Sequence, residues 1–320
     1  MALRDVPKPE AGPGNVLVRV RAAGLNPVDY KIREGKMRLI NRLHLPLVAG
    51  SELAGEVSQV GPGVTKFVPG DRVFARVDKF TLGAFAEFAT VDQHLLAGIP
   101  EELDFGQAAG LPLAGLTALQ ALRDLLNVTQ GGRVYISGGA GGVGTMAIQI
   151  AKWFGAEVAT TASGPGTELV RSLGADHVID YKTENAWDVL RDYDYAFDLI
   201  GGQDLGGAFR IVQPGGRVVS IAGVPEPATA REDLDRGPLL AGLFWLASWK
   251  IRRQARAQRV DYRFLLMHPS GPDLEFLSHL VREKSLSVTV DRVFPFEQIA
   301  DAFAYLEVGH AKGKVIVEMP

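Results

Sequence analysis

The sequence of 320 residues contains no cysteine, which excludes disulfide bonds, thiolate nucleophiles and any zinc site with a sulfur ligand. It has no excess of positive charge, because 34 Lys and Arg face 37 Asp and Glu, so nucleic acid is not an expected partner. Its most apolar run, 239–249, is shorter than the roughly 20 residues that cross a bilayer, and we interpret it as a short buried or interfacial helix. No continuous apolar run follows Met1, so we expect no secretory signal and a cytoplasmic protein.

The first 110 residues or so are typical of short strands broken by glycine and proline. At 16–22, three valines alternate with arginines, as in a half-buried strand. Short apolar runs follow at 46–50, 53–60, 70–74 and 85–91, a pattern that favours a β-rich, barrel-like domain. After about residue 285 the same pattern returns, with strands expected at 286–293 and 314–318 around a helix at 297–308.

The middle of the chain is different. A helix is predicted at 113–128, and from residue 133 strands alternate with helices. The expected strands are 134–137, 157–161, 177–180, 195–200 and 217–221, and the clearest helices are 143–154 and the one that ends at 173. This alternation indicates a parallel sheet covered on both faces. The simplest interpretation is one β-rich domain built from both ends of the chain, with a nucleotide-type domain inserted between them.

A glycine-rich loop, 136–144, follows the first strand of that inserted domain and opens a helix. Glycines at these places permit a tight turn, a close approach of backbone N–H groups to a pyrophosphate and close helix–sheet packing. The helix N-terminus adds partial positive charge. The cofactor-binding candidates here are Gly139, Ala140, Gly141, Gly142, Val143 and Gly144.

The end of the next strand indicates which dinucleotide binds. NAD sites place an Asp or Glu there to accept hydrogen bonds from the ribose hydroxyls, and this strand instead ends in Ser163-Gly164. A hydroxyl accommodates a 2′-phosphate that a carboxylate would repel, so NADP is favoured. Ser163 is the leading contact, with Tyr181 and Lys182 after the third strand as further candidates; the alternative is that these are ordinary loop residues.

Several segments together resemble the medium-chain dehydrogenase/reductase superfamily, specifically its zinc-free quinone oxidoreductase branch. The segments that carry the resemblance are 23–31, 46–57, 60–64, 70–73, 83–87, 137–144, 173–176 and 312–315. It implies an α/β fold in which a Rossmann doubly wound parallel sheet is inserted into a GroES-like β-rich barrel domain, with the active site in the cleft between them. The implied domains are a GroES-like substrate domain, 1–113 with 273–320, and a Rossmann NADP-binding domain, 114–272. Relatives usually begin with one or two strands before the segment that corresponds to 3–9, so we expect either that the first domain lacks an edge strand or that the sequence starts at an internal residue.

The resemblance also implies roles for single residues. Zinc-dependent relatives have a cysteine where this chain has Asn26 and Gly-His-Glu where it has Gly50-Ser51-Glu52, so no metal is expected. The six histidines, His44 among them, show no ligand spacing. Asn26 and Tyr30 are the catalytic candidates, and Asp29 is expected to cap a helix. Further cofactor contacts are expected at Lys31, Ile200, Ala222, Gly223, Val224, Lys312 and Lys314; for most of these residues a purely structural role is the alternative.

Without a metal, hydride transfer is easiest to acceptors that spread the arriving charge themselves, which are quinones and α,β-unsaturated carbonyls. We therefore expect an NADPH-dependent reductase of such small molecules. The alternatives are an enoyl-thioester reductase and a non-catalytic NADPH-binding protein that acts as a redox-responsive interaction module. The resemblance implies a homodimer that pairs through the strand near 262–267.

A basic segment follows the apolar run. A helix is predicted over 249–263, with Arg252, Arg256 and Arg259 on one face. Together with the leucines and aromatics of 239–249, it resembles an amphipathic membrane-surface element. A solvated face beside a buried hydrophobic lid is the alternative.

Overall fold

The computed structural model describes residues 2–38, 43, 46–234 and 237–320, and His44 lies outside these ranges. The chain forms two compact units. The first unit is Met1–Leu116 with Pro269–Pro320, and the second is Thr117–His268. The sequence-based division placed these boundaries at residues 113 and 273.

Both units combine strands and helices. The strands are β1 (Asn15–Leu25), β2 (Glu52–Val60), β3 (Arg72–Arg76), β4 (Phe88–Asp92), β5 (Leu96–Gly98), β6 (Arg133–Ile136), β7 (Glu157–Ala162), β8 (His177–Asp180), β9 (Tyr193–Asp198), β10 (Val212–Ser220), β11 (Asp261–Phe264), β12 (Val290–Pro295) and β13 (Lys314–Glu318). The α-helices are α1 (Pro27–Arg33), α2 (Phe105–Gly110), α3 (Pro112–Leu119), α4 (Gly142–Trp153), α5 (Pro165–Ser172), α6 (Ala186–Val189), α7 (Gly202–Ile211), α8 (Pro238–Ala247), α9 (Trp249–Ala257), α10 (Gly271–Arg282) and α11 (Ile299–Glu307). Residues 2–14 form no strand.

The first unit is organised around β1, whose valines alternate into the core. Val16, Val18 and Val20 are at most 1% exposed. β1 pairs antiparallel with β2, β4 and β13, and β12 joins β13 in parallel, so the sheet runs β12-β13-β1-β2-β3-β5 with β4 also on β1. The last strands of the chain therefore complete a sheet that its first strand begins.

The second unit is a six-stranded sheet in the order β11-β10-β9-β6-β7-β8, with parallel pairing throughout. β6 is buried from Val134 to Ile136, which is typical of a central strand covered on both faces. The strand order reverses between β6 and β9, and loops at the carboxyl ends beside such a reversal form the usual binding crevice. The α/β fold class predicted from the sequence is confirmed.

Two helix predictions were wrong in detail. The helix expected at 113–128 is α3 followed by π-helical turns over Gln120–Leu125, where the N–H of Leu126 donates to the carbonyl of Ala121 at 2.9 Å. This widening lies where the Gln120 side chain bonds both backbone groups of His268, at 2.9 and 3.1 Å.

The basic helix expected at 249–263 ends at Ala257. Arg259 follows in a left-handed conformation, with φ +57°, and Arg263 belongs to β11. Arg259 therefore does not share a helix face with Arg252 and Arg256. Within the described ranges, no helix is both long and apolar enough to cross a membrane.

Candidate functional site

The glycine turn between β6 and α4 is tightly packed at two of its glycines. A methyl group on Gly139 would lie 2.1 Å from Thr160 Oγ1, and one on Gly144 would lie 2.4 Å from the carbonyl oxygen of Gly138. Gly138 has φ +65°, and its N–H donates to Thr161 Oγ1 at 2.9 Å. The turn is thus tied to β7 through Thr161, and it is packed too closely for a side chain at Gly139 and Gly144.

The amino end of α4 is open. Gly141 is its N-cap, and no described side chain caps the helix. The first N–H of α4 that has a backbone acceptor is that of Thr145, which donates to the carbonyl of Gly141. The N–H groups of 142–144 have no such partner among the described residues, and a methyl group on Gly141 would meet nothing closer than 3.5 Å. A dinucleotide pyrophosphate fits this arrangement, because its oxygens would accept hydrogen bonds from those N–H groups at the positive end of the helix.

The predicted contacts for the adenosine side follow two neighbouring strands. Ser163 comes directly after β7, and Tyr181 and Lys182 come directly after β8. The last residues of these strands, Ala162 and Asp180, are register partners, so the structure brings the three candidates to one edge of the sheet. Tyr181 is 57% exposed and Lys182 is also exposed.

Asp198, at the end of β9, organises the loops beside the glycine turn. Its buried carboxylate accepts from Ser137 Oγ at 3.2 Å, from Ser220 Oγ at 2.6 Å and from the backbone N–H of Gly201 at 2.9 Å. The N–H of Ile200 also donates to it, at 3.2 Å. One carboxylate thus holds Ser137 directly after β6, Ser220 at the end of β10 and the turn at Gly201.

The predicted contacts Ile200, Ala222, Gly223 and Val224 lie on the loops beside Asp198. Ile200 is 55% exposed and lies beside Gly138, where an added methyl group would be 2.9 Å from its Cδ1. Ser220 Oγ accepts from the N–H groups of Ala222 and Gly223 at 3.1 and 2.8 Å. The hydroxyl of Tyr262 donates to the carbonyl of Val224 at 2.9 Å.

In the first unit, Asn26 belongs to a buried charged cluster. Its Nδ2 donates to Glu52 Oε1 at 2.7 Å and to the carbonyl of Gly24 at 3.4 Å. Lys314 Nζ donates to the same Glu52 oxygen at 2.6 Å and to Asn26 Oδ1. Leu113 N–H donates to the other Glu52 oxygen at 2.6 Å. Glu52 and Lys314 are 0% and 3% exposed.

The partners of Lys314 in the structure therefore differ from the cofactor, which is the partner that the resemblance implied. Its ammonium group is held by a carboxylate and an amide within its own unit, because β13 lies beside β1 in the sheet. Contact between Lys314 and the cofactor stays a prediction. Lys312 is half-buried, as is Lys31 on α1, and their roles also stay predictions.

A second buried carboxylate lies next to this cluster. Asp29 accepts from the N–H of Asn26 at 2.8 Å, which caps α1 as expected, but it also accepts from the Ser51 hydroxyl. Arg76 donates to the carbonyl of Ser51 at 3.1 Å. Burial raises the pKa of Asp29 from 3.8 to about 6, although Ser51, the Asn26 N–H and Arg76 each oppose the rise.

Tyr30 follows Asp29 on α1 and is half-buried. Burial raises its pKa, with Glu307 and Glu34 adding to the rise, so the phenol stays protonated through neutral pH. No described residue forms a hydrogen bond with its hydroxyl. The described part of the chain also contains no cluster of three or more His, Asp or Glu suited to a metal ion.

Sequence reasoning missed the two carboxylates around which these regions are built. Asp198 ends a strand of the parallel sheet, and that position alone could have marked it. From the sequence, Glu52 was noted only as the last residue of Gly50-Ser51-Glu52, which stands where zinc-dependent relatives have Gly-His-Glu. Its role depends on a lysine 262 residues later, which no local pattern indicates.

Comparisons with known proteins agree with this architecture. Residues 12–101 match the alcohol dehydrogenase GroES-like domain, and residues 173–317 match the zinc-binding dehydrogenase family. The chain is 39% identical to an NADPH-dependent alkenal/one oxidoreductase, chloroplastic, of Arabidopsis thaliana, over 97% of the chain and 73% of that protein. It is 32% identical to a quinone-oxidoreductase homolog, chloroplastic, of Spinacia oleracea, over 98% and 92%.

A solved quinone oxidoreductase from Coxiella burnetii superposes with a TM-score of 0.84 at 31% identity, over 100% of this chain and 95% of that one. Fold and glycine turn together define a nucleotide-dependent oxidoreductase of the alcohol dehydrogenase type. The chain belongs to the medium-chain dehydrogenase/reductase superfamily, in its quinone oxidoreductase-like branch. The family resemblance stated from the sequence is confirmed.

Proposed function

We propose that this chain is an NADPH-dependent oxidoreductase that transfers hydride to quinones or α,β-unsaturated carbonyls without a metal ion. The observation that carries the proposal is the glycine turn, where methyl groups on Gly139 and Gly144 would clash while the amino end of α4 stays uncapped. The printed names of the relatives, an NADPH-dependent alkenal/one oxidoreductase and quinone oxidoreductases, support the same chemistry.

NADPH is favoured over NADH by the rim of the crevice. After β7 the chain continues Ser163-Gly164, and the next acidic residue is Glu168, inside α5. A bound 2′-phosphate would therefore meet the Ser163 hydroxyl just after β7 instead of a carboxylate that would repel it. Exposed Lys182, at the end of the neighbouring strand, adds positive charge at this edge.

When bound, NADPH supplies the hydride, and a conjugated acceptor spreads the arriving negative charge over its own π system. Hydrogen-bond donors at the acceptor oxygen can then replace a metal, each contributing about 3 kcal/mol. We assign this donor role to Tyr30, because its phenol stays protonated and its hydroxyl forms no hydrogen bond with a described residue. Asn26 has both amide hydrogens engaged by Glu52 and Gly24, so we assign it the role of fixing the start of α1.

The binding part of the proposal is tested by titrating the protein with NADPH while following its fluorescence and melting temperature. Gly141→Ala should fold normally yet bind NADPH more weakly, because its methyl group would stand where the pyrophosphate approaches. Gly206→Ala, on α7 with open space around it, is the matched control and should bind like the parent. A melting temperature that NADPH leaves unchanged in the parent protein would overturn the proposal.

Ser163→Asp tests the cofactor preference. We expect NADPH affinity to fall about tenfold or more while NADH affinity holds or improves, because a carboxylate repels the 2′-phosphate and accepts from ribose hydroxyls. Equal losses for the two cofactors would contradict the assignment of Ser163.

The chemical part is tested by NADPH-oxidation assays over quinones, enals and enoyl-CoA. Tyr30→Phe should lower kcat for a quinone about 10²-fold and leave the NADPH-induced rise in melting temperature unchanged. Turnover confined to enoyl-CoA would favour the enoyl-thioester reductase, for which exposed Lys250, Arg253 and Arg256 could bind phosphates. NADPH binding without turnover of any acceptor would favour the non-catalytic interaction protein.

A homodimer and a cytoplasmic location complete the proposal. β11 is an edge strand of the second sheet, with β10 on one side only, and such an edge can pair with that of a second copy. Sedimentation equilibrium tests the dimer, and a protein that stays monomeric over the whole concentration range would contradict it.

A further inference from the structure

Helix α8 presents an apolar face to solvent. Leu239, Leu243 and Leu246 are spaced i, i+4, i+7 and are 87%, 60% and 70% exposed. The opposite side of the helix is already buried, because Ala241 and Phe244 pack with Ala230. The sequence-based alternative of a hydrophobic lid with its apolar residues buried is therefore wrong for this face.

Two tryptophans extend the apolar face toward α9. Trp245 and Trp249 are 51% and 48% exposed. The guanidinium of Arg252 lies 5.4 Å from the Trp245 ring, and that of Arg253 lies 5.4 Å from the Trp249 ring. Tryptophan is the side chain that best suits a boundary between water and hydrocarbon, since it joins a large apolar ring to one N–H donor.

The charge beside this face is mainly positive, and the first acid after it in the sequence is Asp261, at the start of β11. Residues 237–260 contain five cations and no Asp or Glu; the cations are Lys250, Arg252, Arg253, Arg256 and Arg259. Lys250, Arg253 and Arg256 are exposed and form no ion pair with a described residue. Two acids that precede the segment, Glu226 and Glu232, both pair with Arg263, at 2.9 and 2.7 Å.

We infer that the α8–α9 surface, residues 238–257, docks on an anionic lipid bilayer, with α8 lying in the plane of the membrane and the cations of α9 among the headgroups. Exposed leucines would enter the acyl boundary, tryptophans would sit at headgroup level, and unpaired cations would meet anionic lipid. A second copy of the chain is a poorer occupant, because a two-fold contact through this surface would bring the two cation clusters together without an acid between them. This inference stands independently of the proposed function.

The test is co-sedimentation of the full chain with vesicles of phosphatidylcholine alone and of phosphatidylcholine with about a third phosphatidylglycerol. The apolar variant is Leu239→Gln, Leu243→Gln and Leu246→Gln combined, and the charge variant is Lys250→Gln, Arg253→Gln and Arg256→Gln. Matched controls elsewhere on the surface are Val68→Gln with Val308→Gln, both exposed valines, and Lys66→Gln with Arg282→Gln and Lys284→Gln. All of these positions are exposed, so the variants should fold.

We expect binding to the anionic vesicles that weakens as salt is added, negligible binding to phosphatidylcholine, and a loss of about tenfold or more in each α8–α9 variant but in neither control. Tryptophan emission should shift to the blue on binding, and Trp245→Phe with Trp249→Phe should remove the shift. Absence of binding to anionic vesicles even at low salt would overturn the inference. The inference would also be overturned if the parent protein bound no vesicles and the apolar variant turned a solution dimer into a monomer. The α8–α9 surface would then be a contact between two copies of the chain.

Discussion

Asp198 and Glu52 are equally buried carboxylates, each 0% exposed, but they are stabilised by different means. Among the described residues, the donors to Asp198 are all neutral: two serine hydroxyls and two backbone N–H groups. Glu52 accepts from a lysine ammonium, an amide and one backbone N–H. The first arrangement shapes loops at a binding crevice. The second joins β2 to β13 through charge, and so joins the first segment of a split unit to its last.

The difference predicts that Lys314 matters most for stability. Lys314→Met should lower the free energy of unfolding by about 3–5 kcal/mol, because it leaves the Glu52 carboxylate buried without its cation. Denaturant unfolding measures this loss, and Lys312→Met, a half-buried neighbour without a bond to Glu52, should lose far less. Adding Glu52→Gln to Lys314→Met should restore much of the stability. A double variant as unstable as the single one would show that charge is not the cause.

The neighbouring carboxyl of Asp29 should make stability depend on pH. Its pKa is about 6 in the folded protein against 3.8 as the ordinary value, so the folded state holds the proton longer. This contribution is complete below about pH 4 and is lost as the pH rises through 6, by about 3 kcal/mol at 1.36 kcal/mol per unit.

The measurement is denaturant unfolding of the parent protein and Asp29→Asn at pH 4 and pH 7. The parent should lose stability relative to the variant between these values, since Asn cannot ionise. Parallel behaviour of the two proteins across this range would contradict a raised pKa at Asp29.

At the neutral cluster the expected loss is smaller. Asp198→Asn should lower the free energy of unfolding by about 2 kcal/mol, because the new NH₂ group faces donors that cannot all turn to accept. NADPH should bind more weakly as the loops of Ile200 and Gly223 relax. Asp180→Asn is the control for stability and should lose less than 1 kcal/mol, because within the described part of the chain the Asp180 side chain accepts only from the N–H of Lys182. Losses of equal size at both positions would contradict the central role of Asp198.

The smallest effect is expected at an ion pair of similar geometry on the surface. Arg21 and Glu56 are 2.8 Å apart, but their side chains are 31% and 37% exposed. Water already solvates both charges, so Arg21→Gln should cost less than 1 kcal/mol by the same unfolding measurement, and less still at high salt. A loss as large as that of Lys314→Met would show that burial is not what separates the two pairs.

Sequence reasoning was most successful where the information is local. The strands 177–180 and 314–318 have the bounds that were predicted, and the glycine turn lies between a strand and a helix as expected. It failed where distant parts of the chain decide the outcome. The predicted helix at 113–128 widens beside His268, and the predicted basic face loses Arg259 because the chain turns left-handed there to enter β11.

The sequence by itself determined the alternation of strands, the glycine turn and the residues at the rim of the crevice, because side-chain period, backbone freedom and turn chemistry are properties of neighbouring residues. Only the tertiary structure decided that Lys314 bonds Glu52 and Asn26, that Asp198 joins β6, β9 and β10, and that α8 leaves its leucines in solvent. These outcomes depend on which segments share a sheet and which faces find a packing partner. Burial and charge pairing across hundreds of residues leave no periodic trace along the chain.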